Sequence, residues 1–190
     1  MELKQEFFKL ELKEVWEILL ESLKEANTLY PIQLVSLVLM NNHYHLLLED
    51  SDGNLSKIMH HINRNYVEIY NKSKGCDGSL FKGRFKAVLV DRDQYLLELT
   101  RYIHRNPIKL VKDLKDYRWS SYRCYLGLAP KPIACLEKNK SMEMLGCQDK
   151  ISEYELFVNS EKGRGLYGNR KNLPSILGGA EFKKKVFIKK

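Results

Sequence analysis

The order of elements along this 190-residue chain predicts an α+β fold, in which antiparallel strands carry helices packed on one face. Three observations predict it. An amphipathic helix comes first, two apolar runs separated by Asn41-Asn42 follow it, and two further helices bracket a third strand. A hydrophobic content of 44% is that of a globular protein with a buried core.

The first three elements follow from local hydrophobic periodicity. Residues 10–25 place apolar side chains on one face and charged side chains on the other, which predicts an amphipathic helix. Residues 32–40 (IQLVSLVLM) predict a buried strand, and residues 43–49 (HYHLLLE) predict a second one. Because asparagine tolerates positive φ, Asn41-Asn42 predicts the turn of a hairpin.

The next elements are a helix and a strand. Residues 54–73 again have one apolar face, which predicts a second helix, and Gly75 is suited to end it. Residues 84–90 (RFKAVLV) alternate and then become apolar, which predicts a strand.

The third helix is expected to begin at Asp91 or Asp93, either of which can cap it. It should run to about residue 105, because Pro107 cannot continue a helix. Weaker patterns predict short helices within 114–126, 152–158 and 180–186.

The net charge of +8 is unevenly distributed. Residues 162–190 carry nine Lys or Arg against one acid, and residues 57–86 and 101–123 each carry seven bases against two acids. This pattern favours a polyanionic partner such as nucleic acid. The chain has no apolar run long enough for a membrane span and no signal-peptide pattern in MELKQEFF, so we expect a cytoplasmic protein.

His43 and His45 are candidate metal ligands. Alternate residues of a strand share a face, with Cα atoms about 7 Å apart, so the two imidazoles can converge on one divalent cation. A pair of structural histidines near a turn is the alternative interpretation.

Tyr102 and Asn106 lie four residues apart and therefore on one face of the third helix. A tyrosine hydroxyl is a possible nucleophile, and an amide oxygen suits a hard cation such as Mg²⁺ or Mn²⁺. The alternative is a core tyrosine with a helix-ending asparagine before a proline. The two pairs together are more specific, since a cation held by two histidines and one amide keeps positions for a phosphate oxygen.

The segments LVLMNNHYHLLLE, SLFKGRFKAVLVD, YLLELTRYIHRNPIK and WSSY resemble those of the single-tyrosine HUH transposases, and above all of the REP-associated tyrosine transposases. The resemblance covers about residues 6–126. It implies a ferredoxin-like or RRM-like antiparallel sheet with helices on one face. Relatives usually begin with a strand before the first helix, and this chain starts at about the point where that strand should end, so we expect the sheet to lack its first strand.

The resemblance also assigns roles. His43 and His45 match the metal-binding pair, Asn106 the third ligand and Tyr102 the nucleophile. It implies a strand transferase that cuts single-stranded or hairpin DNA through a 5′-phosphotyrosine, with Mg²⁺ or Mn²⁺ as cofactor. We expect the transposase-like catalytic domain in residues 1–128 and a basic, partly helical extension in residues 129–190.

Five basic residues are candidate DNA contacts: Lys82, Arg84, Lys86, Arg101 and Arg105. The first three would alternate on one strand face, and the other two flank the tyrosine on its helix; solvated basic faces are the alternative. The wider family includes dimers that exchange the tyrosine helix, whereas the REP-associated branch implies monomers, and both states stay open.

Two other functions are compatible with the sequence. A truncated transposase that has lost catalysis would act only as a DNA-binding module. An RRM-like RNA-binding protein would need several aromatic side chains on its sheet, and Phe85 is the clear candidate.

Overall fold

The computed structural model describes residues 11–160 and 175–188. The expected lack of a first strand concerns residues 1–10, which lie outside the described residues. The helices and strands are α1 (Leu12–Leu29), β1 (Ile32–Leu39), β2 (Tyr44–Asp50), α2 (Leu55–Lys74), β3 (Leu89–Val90), α3 (Arg92–Arg105), α4 (Tyr122–Tyr125), α5 (Asn139–Met142), α6 (Lys150–Asn159), β4 (Ile176–Leu177) and α7 (Ala180–Ile188). Short 3-10 helices span Asn106–Lys109 and Leu114–Asp116.

The predicted hairpin is confirmed, because β1 and β2 pair antiparallel, with Val38 opposite His45. The turn is closed by a hydrogen bond of 2.7 Å from the Met40 amide to the His43 carbonyl. The turn does not use the positive φ that asparagine tolerates: among the described residues, Cys135 is the only non-glycine with positive φ. Asn41 and Asn42 therefore make the turn in ordinary backbone conformations.

Helices cover both faces of this hairpin, although the sequence predicted them on one. On one face, α1 and α2 bury apolar side chains of β1 together with Tyr44 of β2. On the other face, Val38 packs against Ile103 of α3 and against Tyr117. Every residue of β1 except Gln33 is buried, which explains why its sequence is apolar rather than alternating. The α+β class holds, and α3 meets the face that carries the histidines.

The second edge of β1 is covered by irregular segments instead of a further long strand. The Leu39 amide donates to the Trp119 carbonyl and the Ser121 amide to the Leu37 carbonyl, each at 2.9 Å. Further along, the Leu34 amide donates to the Cys135 carbonyl, also at 2.9 Å. These bonds satisfy backbone groups that an exposed edge would leave open to other chains.

The strand predicted over residues 84–90 is wrong for most of its length. Only Leu89 and Val90 pair, in parallel, with Ile176 and Leu177. Alternation of side chains specifies a strand only where a neighbouring strand accepts its hydrogen bonds, and residues 84–88 have no regular structure.

A second core cluster joins residues on both sides of position 128, where the sequence suggested a boundary. Tyr122 and Tyr125 of α4 pack with Tyr154 and Val158 of α6, all fully buried. Residues 139–159 are thus packed on the rest of the fold. Across the described ranges 11–160 and 175–188, no helix combines the length and apolar character needed to cross a membrane.

Candidate metal and nucleophile site

His43 and His45 flank Tyr44 at the beginning of β2 and lie on the sheet face that α3 covers. Their rings pack edge to face, with centroids 4.9 Å apart, and both side chains are half-buried. Tyr44 points to the opposite face, where its hydroxyl donates to Asn63 Oδ1 of α2 at 2.6 Å. This bond holds β2 against α2, so the two imidazoles remain together on the opposite face, which α3 covers.

Asn106 presents its amide oxygen to this pair. The backbone stays helical through Asn106, at the end of α3, so the predicted one-turn spacing from Tyr102 is realised. Asn106 Nδ2 donates to the Tyr102 carbonyl at 2.9 Å. Because Nδ2 donates to the Tyr102 carbonyl, Oδ1 is the atom of Asn106 that can interact with His45, whose pKa the Asn106 side chain raises. The opposite amide orientation would set Oδ1 against a carbonyl oxygen.

Tyr102 lies against the same histidine. Its ring packs edge to face on His45, with centroids 5.9 Å apart, and its side chain is half-buried. Burial raises the pKa of the Tyr102 hydroxyl above its ordinary value, so the phenol is protonated at neutral pH. As a nucleophile, it must therefore lose its proton during attack.

His45 is neutral at physiological pH. Burial, followed by the neighbouring His43, lowers the pKa of His45 to about 4, and the hydrogen bond to Asn106 offsets part of this effect. A neutral imidazole is the ligating form, so a cation does not have to compete with a proton for His45 at pH 7.

Asn42 contacts His43, although the sequence predicted it only as part of the turn. His43 Nδ1 lies 2.7 Å from Asn42 Oδ1, within hydrogen-bonding distance. An amide side chain directly before the first histidine was the available signal. Metal-binding histidines commonly use one ring nitrogen for the metal and the other for such a partner.

The donor atoms of the site fit a divalent cation. Two imidazoles and the Asn106 oxygen form a set of nitrogen and oxygen ligands, which suits a cation that also accepts phosphate oxygens. Within residues 11–160 and 175–188, no group of three or more His, Cys, Asp or Glu side chains could hold a metal. The described cysteines are free thiols.

The three basic residues of the FKGRFK segment are exposed, but not in the manner predicted. Lys82, Arg84 and Lys86 lie in irregular backbone, so no strand aligns them on one face. Between them, half-buried Phe85 packs on the main core, which leaves little of its ring for stacking on a base. The segment therefore offers exposed cationic side chains on a loop that Phe85 anchors to the core.

Arg101 and Arg105 are not brought to the site. The Arg101 side chain is 5% exposed, pairs with Glu98, and has its guanidinium carbon 4.4 Å from the centroid of the Phe157 ring. Arg105 donates to the carbonyls of Val158 and Ser160 at the end of α6. Both arginines bind α3 to α6, and their positions favour this structural role over contact with DNA.

His104 belongs to the core. It is fully buried, and its two ring nitrogens lie 2.7 Å from the hydroxyls of Tyr154 and Ser121. Burial lowers the pKa of His104 to about 3. Tyr102, two residues earlier, faces the opposite side of the same helix and packs on His45.

The chain is similar to known transposases in sequence and in fold. A family model described as "Transposase IS200 like" matches residues 4–106, more than half of the chain, and this stretch includes all four site residues. The structure of a REP-associated tyrosine transposase bound to a REP hairpin is similar, with a TM-score of 0.53 and 19% identity over 70% of this chain and 79% of that one. At this identity the likeness concerns the fold. No curated protein matches the chain.

Proposed function

Because the chain belongs to the IS200-like transposase family, we propose that it is a metal-dependent single-stranded DNA endonuclease and strand transferase that acts through a 5′-phosphotyrosine. One observation carries the proposal. Tyr102 and Asn106, one helical turn apart, both contact His45, which itself packs against His43. A nucleophile and three candidate ligands from two separate elements thus meet at one point, which favours catalysis over a module that only binds DNA.

His43, His45 and Oδ1 of Asn106 would hold the cation, Mg²⁺ or Mn²⁺. Bound there, it would act as a Lewis acid on the scissile phosphate. The protein contributes a neutral His45 and an amide whose orientation is set by its own hydrogen bond to the Tyr102 carbonyl. The ligands are therefore oriented before any substrate arrives.

Tyr102 carries the chemical step. Its phenolic oxygen attacks phosphorus and gives its proton to water, while the bond from phosphorus to the 3′-oxygen breaks and that oxygen takes up a proton. The products are a 5′-phosphotyrosine and a free 3′-hydroxyl. Attack by another 3′-hydroxyl on the phosphotyrosine reverses the step and joins new ends, so no nucleotide cofactor is needed.

Hairpin DNA with a single-stranded flank is the proposed substrate. A protein of similar fold is bound to a REP hairpin. In this chain, the exposed Lys82, Arg84 and Lys86 can contact phosphates without a fixed strand geometry. Such contacts hold the backbone and carry no base specificity.

We also propose that the tyrosine acts in cis. Tyr102 contacts His45 of its own chain, and Arg101 and Arg105 hold the tyrosine helix on α6. Mixing His43→Ala with Tyr102→Phe should therefore restore no activity. Restored activity in the mixture would mean that two copies exchange the helix.

The test uses end-labelled hairpin DNA with a single-stranded flank and Mn²⁺ or Mg²⁺, followed by denaturing electrophoresis. Wild type should form a covalent protein–DNA adduct, and Tyr102→Phe, which keeps the ring and removes the nucleophile, should form none. No adduct with wild type, or an equal one with Tyr102→Phe, defeats the proposal. Equal DNA binding by wild type and His43→Ala without cleavage would favour the binding module.

A further inference from the structure

The hydrogen bond between Asn42 and His43 determines where the imidazole carries its proton. An amide oxygen can only accept, so at 2.7 Å from Asn42 Oδ1 the His43 Nδ1 must be the donor. In a neutral imidazole only one nitrogen is protonated. Nε2 of His43 is then the nitrogen with a lone pair, which is what a cation requires.

The turn itself does not require the Asn42 side chain. Neither residue of the Asn41-Asn42 pair has positive φ, and the turn is closed through the backbone, from the Met40 amide to the His43 carbonyl. Asn42 is exposed, so its side chain adds nothing to the core. Its distinctive interaction is the one with the His43 ring.

The two histidines of the pair are held differently. His45 is oriented by burial and by Asn106, which lies at the end of α3. His43 lies at the mouth of the hairpin, next to exposed Asn42. Both rings are half-buried, and a hydrogen bond on Nδ1 of His43 determines which of its two nitrogens carries the proton.

We infer that Asn42 is a positioning residue, which selects the Nδ1-protonated tautomer of His43 and so presents Nε2 to the divalent cation. The inference rests on the proposed function for the metal and concerns a residue that holds a ligand without being one. Loss of an outer partner of a metal-binding histidine commonly lowers metal affinity about 10- to 100-fold. Because this bond is exposed to water, we expect about 10-fold here.

The first experiment reads the tautomer without metal. Nitrogen NMR spectra of isotope-labelled histidine, recorded at about pH 8, where imidazole is neutral, distinguish protonation at Nδ1 from protonation at Nε2. Wild type should show His43 protonated at Nδ1, and Asn42→Ala should shift it toward the Nε2-protonated form. Asn41→Ala is the matched control, since Asn41 is the adjacent, equally exposed amide and should leave the His43 signals unchanged.

The second experiment measures Mn²⁺ affinity by calorimetry on the same proteins. Asn42→Ala should bind about 10-fold more weakly than wild type, and Asn41→Ala should bind as wild type does. Asn42→Asp, which keeps an acceptor oxygen and adds a negative charge, should bind at least as tightly as wild type. An Nε2-protonated His43 in wild type, or equal affinity in Asn42→Ala, would overturn the inference while leaving the proposed function intact. No Mn²⁺ binding by wild type would overturn both.

Discussion

Replacing Lys82, Arg84 and Lys86 together with alanine should weaken DNA binding through the salt-dependent part of the affinity. All three side chains are exposed, and none forms an ion pair with any residue in 11–160 or 175–188. Their charges are therefore not committed to stabilising the fold. Each cation that neutralises a phosphate releases condensed counterions from the DNA, which makes binding weaker as salt rises.

The size of the effect follows from three contacts. On single-stranded DNA each contact contributes about 0.7 to the slope of log affinity against log salt, so the triple variant should lose about 2. At about 0.1 M salt, each contact corresponds to a factor of about 5, and the three together to a factor of about 100. Fluorescence anisotropy with labelled single-stranded DNA at several salt concentrations measures both quantities. The urea midpoint of the triple variant should not change.

Arg101→Met is the matched comparison, because it removes one positive charge from a buried position instead of an exposed one. It should leave the salt slope unchanged. An unchanged slope in the triple variant, or a decrease with Arg101→Met, would refute the assignment of DNA contact to the exposed loop and of a structural role to Arg101.

Three further outcomes are expected. Arg101→Met should lower the free energy of unfolding in urea by about 2 kcal/mol, below the usual loss for a broken buried pair because Glu98 is 32% exposed. Burial lowers the pKa of His104 from 6.5 to about 3, so its contribution to stability is complete above pH 6.5 and declines as pH falls toward 3. The decline approaches about 1.4 kcal/mol per pH unit, and His104→Gln should flatten it in urea titrations across this range. Asn106→Leu should weaken Mn²⁺ binding in calorimetry at least about 10-fold, whereas Asn106→Asp, with an oxygen in the same place, should retain it.

The elements that surround the site could be predicted because their signals are local. The apolar face of α2 and its end at Gly75, which has a φ of 60°, are both present in the sequence within a few residues. The two-residue spacing of His43 and His45 places them on one strand face, and the four-residue spacing of Tyr102 and Asn106 places them on one helix face. That these faces meet could not be derived from either spacing, and it was the joint pattern that suggested it.

The errors came from partners distant in sequence. The alternation in residues 84–90 is the same whether or not a strand lies alongside, and the pairing partner of Leu89 is Ile176. Likewise, the local sequence around Arg101 is that of an exposed arginine. In the structure, Phe157 of α6, more than 40 residues later in the sequence, covers it. Periodicity identifies which side chains share a face, but not which element covers that face.

The helix α3, which carries Tyr102, is held on two sides, and these attachments determine how well the site keeps its geometry. Toward the sheet, Ile103 packs on Val38, which lies opposite His45 in the strand register. On the side of α6, Arg101 packs on the ring of Phe157, and Arg105 donates to the Ser160 carbonyl. Tyr102 lies between these attachments, so a movement of α3 against α6 changes its distance from His45 directly. The helix α6, which follows the four site residues in the sequence, thus contributes to their spacing, although none of its side chains belongs to the site.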